Sequence, residues 1–197
     1  MNNPEFVALG TRCTAATILN INNVRKNAFP FDWVDQPIKS ILELVQISHG
    51  TYHELCIYLN NYFNEVRSQR HPDGSWYPHD FIITDYPEQQ LVTIKQKYTR
   101  RFWRMFDLFK SGRDIVFLTV LSEYKQEETD AYYALLFYLS QKTNGRMRAI
   151  SINLLNDERY TLTHSNLVVP FYGDYDRFDA DITAALKQNE LTKQYFI

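Results

Sequence analysis

Along this chain, short continuous apolar runs take turns with stretches whose apolar residues fall at helical spacing. Phe6, Val7, Ala8 and Leu9 form the first run, too short for a helix and suited to a strand covered on both faces. Gly10 lets the chain turn, and Thr11 is placed to cap a helix over Ala15 to Leu19, which sets Cys13 in the first helical turn. A polar connector, Asn20 to Lys26, leads into AFPFDWVDQP. Pro30 fixes its own φ and biases Phe29 toward extended backbone, so Phe31, Asp32 and Trp33 are expected in a stiff, buried loop.

Helical periodicity returns at Ile38, Ile41, Leu42 and Val45, ending at Gly50. Thr51 with Glu54 reads as a capping box for a helix presenting Leu55, Leu59, Tyr62 and Phe63 on one face. SQRHPDGSWY is a turn-rich loop, and PHDFIITDYPE follows it, with Asp85 read as a helix cap. The longest helix is expected over Glu88 to Lys110, with Leu91, Ile94, Tyr98, Phe102, Met105, Phe106 and Phe109 inward and Gly112 as its stop. DIVFLTVL at 114–121 is the clearest strand, and a helix over about 127–142 ends at Asn144 and Gly145. MRAISINLL at 147–155 and NLVVPFY at 166–172 complete the strands, with Pro170 pointing to a sheet edge. A last helix, capped by Asp174, turns Phe178, Ile182 and Ala185 inward. The plan is α/β: a single three-layer domain over 1–197 with a mostly parallel central sheet flanked by helices.

Composition narrows the function classes. With 45% hydrophobic residues, the 197-residue chain can bury a core without disulfides. A formal net charge of −2 gives no bulk attraction for nucleic acid or anionic membrane, so neither partner is expected. There are two cysteines, Cys13 and Cys56, which suits a reducing compartment and a cytoplasmic location. No run approaches a membrane span, and MNNPEF lacks the pattern of a signal peptide. Neither cysteine has a second Cys or His at ligand spacing, and His49 and His53 straddle Gly50, so no metal and no cofactor is expected.

The candidate chemistry begins at Cys13. A thiol in the first turn of a helix feels the positive end of the helix dipole, which favours thiolate; the same residue also fits as a small apolar plug between helix and sheet. His79 is the best general base of the five histidines, beside Asp80 and the apolar Phe81, although a surface histidine at a loop edge reads equally from the string. Asp32 either caps a backbone turn or orients a cationic or histidine group. Lys97, Arg100, Arg101 and Arg104 form a solvated basic face, or Arg101 and Arg104 reach across the core to a carboxylate or an anionic ligand. Ligand sites in open α/β sheets lie beyond the carboxyl ends of strands, which is where Cys13 stands. Thiolate, imidazole and carboxylate together meet the needs of acyl transfer, and N–H groups of Arg12, Cys13 and Thr14 would supply an oxyanion hole.

The combination LGTRC, AFPFDWV, PHDF and YTRRFWRMF resembles a bacterial and viral family of unknown function described as putative papain-like cysteine peptidases, from about Phe6 to Val120. The resemblance implies functional positions at Cys13, Asp32, His79, Arg101 and Arg104 and a peptide, acyl or small anionic substrate. A papain-like enzyme sets its cysteine on a helix against a separate antiparallel barrel; here the cysteine leaves a strand of a mixed or parallel sheet, with no glutamine upstream. The reading is therefore a cysteine-dependent hydrolase or acyl-transfer enzyme with catalytic Cys13, His79, Asp80 and Asp32 and substrate contacts from Arg12, Thr11, Trp33, Arg101 and Arg104. Two others compete: a transferase or binding domain for a phosphorylated or nucleotide-sugar ligand at the Gly10 turn, and a non-catalytic interaction module with Cys13 inert. The string leaves the oligomeric state open.

Overall fold

Four parallel strands lie side by side in chain order in this computed structural model, which describes residues 4–10, 13–47, 51–81, 87–121, 126–144, 146–155, 166–170, 175–189 and 192–196. The described elements are β1 (Glu5–Leu9), α1 (Thr14–Ile21), α2 (Ile38–Ile47), α3 (Tyr52–Asn64), α4 (Pro87–Lys110), β2 (Ile115–Leu121), α5 (Gln126–Lys142), β3 (Met147–Leu155), β4 (Asn166–Pro170) and α6 (Tyr175–Gln188). Register runs from Glu5 opposite Ile115 to Leu9 opposite Thr119, and from Ile115 opposite Met147 to Leu121 opposite Asn153. β4 closes one edge, as its Pro170 requires: a proline lacks the N–H that an interior ladder needs.

Side chains alternate across the pleat, so each strand feeds two cores. Val7, Leu9, Ile115 and Phe117 face a large core shared with the segment from Phe29 to Val34 and with α2, α3, α4 and α5. Phe6, Ala8, Val116, Leu118, Val120, Ile150 and Ile152 face a smaller one, covered by Ala15, Ala16, Ile18 and Leu19 of α1 and by Ile182 and Leu186 of α6. Helices on both faces of one parallel sheet make the three layers, the α/β plan that the apolar runs imply.

The helix signals hold in detail. Thr51 and Glu54 make both bonds of the capping box, and Leu55, Leu59, Tyr62 and Phe63 are buried. Gly112, at φ +76°, takes the left-handed backbone beyond α4, and Asn144 does so at φ +53° beyond α5. The calls on Thr11, Arg12, His49, Gly50, Asp85, Gly145 and Asp174 fall outside the described residues, as does the side chain of Phe178. One helix start differs from expectation: Cys13 is itself the N-cap of α1, with φ −61° and ψ −16°, and its carbonyl accepts from Thr17 N at 3.0 Å. The cap thus falls two residues after Thr11, and Cys13 stands at the head of the helix and not within its first turn.

Candidate functional site

The loop after β1 leads to α1 on the smaller core's side, while the loop after β2 leads to α5 on the larger core's side. Neighbouring parallel strands whose loops part to opposite faces leave a crevice at their carboxyl ends, where open α/β sheets hold ligands. Cys13 stands at that end of β1, half-buried, with neither cysteine in a disulfide. The connection from β1 to β2 carries every other candidate residue.

Asp32 is buried, 1% exposed, in the turn after Pro30. Its Oδ2 accepts from Phe29 N at 2.9 Å and from Arg25 Nε and Nη2 at 3.1 and 2.5 Å. Both expectations for this residue are therefore met at once: it closes a backbone turn and holds a cation. Burial raises its pKa above the ordinary carboxylate value, and Arg25 and the Phe29 N–H only partly offset that. The Arg25 guanidinium in turn lies over the Trp33 ring, 5.6 Å from its centroid. On Trp33 packs the exposed His79, edge to face, with ring centroids 5.7 Å apart. Carboxylate, guanidinium, indole and imidazole thus follow one another in a stack. Trp33 also packs against the smaller core, which includes Ala15, Ala16 and Ile18 of α1.

Adjacency in the chain does not give His79 the carboxylate of Asp80. Both oxygens of Asp80 are engaged elsewhere: Oδ1 accepts from Lys97 Nζ and Oδ2 from Tyr98 Oη, both on α4. Consecutive residues in a turn point apart, and the two α4 donors decide which way Asp80 faces. Burial, with Asp80 beside it, raises the Tyr98 phenol well above its ordinary pKa.

The two α4 arginines also separate. Arg104 is exposed and donates from Nη1 to the Ala28 carbonyl at 2.6 Å, which pins the segment leading into PFDW. Arg101 is buried, its Cζ 5.7 Å from the Tyr98 ring centroid, and its Nη1 has no hydrogen-bond partner among the described residues.

Sequence reasoning passes over a second polar cluster, in the SQRHPDGSWY loop. His71 stacks on Tyr62 with centroids 3.8 Å apart and planes 15° from parallel. Its Nδ1 lies 2.9 Å from Asp73 Oδ1 and 3.2 Å from Asp73 N, and its Nε2 lies 3.8 Å from Glu65. Asp73 also accepts from Tyr62 Oη and from Ser75 N, both at 2.8 Å, and Tyr77 Oη donates to Tyr62 Oη at 2.9 Å. Burial alone would raise Asp73, but the bonds from Ser75, Tyr62 and His71 outweigh it and hold the carboxyl below its ordinary range. Burial and the neighbouring Tyr77 push the Tyr62 phenol far up. The only sequence signal for this cluster is the H-P-D-G turn, which brings a carboxylate back toward the imidazole two residues before it.

Three further observations bound the chemistry. Among the described residues no group of three or more His, Cys, Asp and Glu side chains could hold a metal ion. No described helix is long and apolar enough to cross a membrane. A cleft of about 220 Å³ opens beside Phe6, Asn22, Lys26 and Tyr195, and it contains none of the candidate residues.

An uncharacterized protein of Acanthamoeba polyphaga mimivirus is 27% identical to this chain over 145 residues, covering 59% of this chain and 61% of that protein. The chain thus spans about three fifths of the length of that relative. No solved structure matches. The match that decides the matter runs over residues 4–159, from β1 through β3 and so through Cys13, the Asp32 stack and both α4 arginines, and by it the chain belongs to the family described as "Putative papain-like cysteine peptidase", a domain of unknown function.

Proposed function

We propose that the protein is a cysteine-dependent acyl hydrolase in which Cys13 is the nucleophile and His79 the proton carrier. The observation that carries this reading is the setting of Cys13: a half-buried cysteine at the N-cap position of α1, beyond the carboxyl end of a parallel strand, with no cap hydrogen bond from its side chain. The helix's first N–H groups have no partners within the helix, and they favour a thiolate and can hold a developing oxyanion. Cys13 sulfur would bond to the substrate's carbonyl carbon, the bond to the leaving group would break with a proton delivered by His79, and water would then cleave the thioester. Asp32 serves as a positioning residue in this scheme. It holds Arg25 over Trp33, and Trp33 is the surface against which His79 rests. Asp80 is a structural anchor for the turn, bonded to α4.

Labelling with iodoacetamide at pH 7 tests the proposal, with Cys56 in the middle of α3 as the internal control. Cys13 should be alkylated at least ~10-fold faster than Cys56 and than a free model thiol, as activated thiols are. Equal rates for all three would remove the nucleophile.

A further inference from the structure

Among the described residues, the candidate site holds more positive charge than its own carboxylates answer. Arg25 and Lys97 are each matched, to Asp32 and Asp80. Arg101 is 9% exposed, and among the described residues its Nη1 finds no hydrogen-bond partner. Asp32 feels its charge, yet the bonded oxygen of that carboxylate already receives Arg25 and the Phe29 N–H. Asp80 has an oxygen on Lys97 and the other on Tyr98. A lysine so placed could lose its proton; a guanidinium cannot, so the burial of Arg101 calls for an anion.

Position agrees with charge. Arg101's charge acts on Asp32, and Phe102, the next residue of α4, packs edge to face on Phe31, the residue before Asp32, with ring centroids 5.5 Å apart. Arg101 therefore lies beside the turn that carries Asp32 and Trp33, the ring on which His79 rests.

We propose that Arg101 is a binding residue for a carboxylate carried by the substrate. The planar guanidinium fork donates two parallel bonds to a carboxylate, and a monoanion restores the balance of three cations against two carboxylates among the described residues. Arg104, exposed and bonded to Ala28, takes no part. The identity of the ligand as substrate rests on the reading of Cys13 as nucleophile; the anion site rests on Arg101 alone.

Two reagents of nearly the same size separate these claims: neutral iodoacetamide and anionic iodoacetate, each timed at Cys13 in the wild type, Arg101→Met and Arg101→Lys. The ratio of the iodoacetate rate to the iodoacetamide rate should fall about tenfold in Arg101→Met and by less in Arg101→Lys, which keeps the charge and lets the test proceed if methionine prevents folding. An unchanged ratio in the folded variants overturns the proposal. If Cys13 proves no faster than a model thiol, the nucleophile fails by itself, and the anion site is then read by melting temperature. Sodium acetate should raise it beyond sodium chloride of equal ionic strength in wild type and Cys13→Ser alike, and by less in the Arg101 variants. A rise equal to that from chloride, or equal in all the proteins, overturns the site.

Discussion

His71 and His79 stand eight positions apart on one stretch of chain, and their surroundings are opposite. His71 is wedged between Tyr62, Asp73 and Glu65, in a loop tied to α3 by hydroxyls and carboxylates. His79 has an aromatic wall on one side and solvent on the other. The histidine with the carboxylate is the one built into the scaffold, and the histidine beside the aromatic wall is the exposed one. An imidazole–carboxylate contact is thus no sign of the accessibility that a proton carrier needs.

Exchanging the two histidines for alanine is the strongest way to break this contrast. His79→Ala should lower hydrolysis of a generic acyl ester such as p-nitrophenyl acetate by roughly 10²–10⁴-fold, the usual worth of a proton carrier, with the melting temperature unchanged. His71→Ala should do the reverse, leaving the rate per folded molecule and lowering stability by about 2 kcal/mol in urea unfolding. If His71→Ala abolishes turnover in a folded protein, the roles assigned here are inverted.

A smaller effect sharpens the scaffold side. Tyr62→Phe removes the hydroxyl that joins Asp73, Ser75 and Tyr77, and should destabilise by about 1–2 kcal/mol without touching the labelling rate of Cys13. Smallest and most specific is the acid limb. Because Asp73 is held below its ordinary pKa, its ionised form contributes stability above the ordinary carboxylate range, and that contribution is lost as pH falls through the lower folded value. Melting temperature followed downward from about pH 5 should therefore drop more steeply in wild type than in Asp73→Asn, whose amide cannot titrate. Parallel profiles would show that the carboxylate carries no such load.

Much of the fold can be read from local pattern, because its signals are local. The runs at 115–121 and 147–155 are strands since both of their faces are covered, and the Thr51–Glu54 cap lies within four residues. Arg101 was half legible as well. It falls three residues after Tyr98 and four before Met105, within the helical stripe, whereas Arg104 lies off it; burial of the first and exposure of the second follow from that spacing. What could not be read is where polar tips go when the elements are far apart in the chain. Asp80 turns to Lys97 and Tyr98 because α4 packs beside it, and no string neighbour announces that. Arg25, in a connector without periodicity, gave no sign that it would bridge Asp32 and Trp33.

The order of the strands has a kinetic side. β3 reaches β2 across one helix, but β1 must find β2 across the whole excursion that holds α1 to α4, and the longer loop closes at the greater entropic cost. The β2–α5–β3 unit should accordingly assemble first and the N-terminal strand join last. Until it joins, Cys13 is an ordinary thiol on an unfinished chain, so whatever reactivity it has belongs to the completed molecule and not to any folding intermediate.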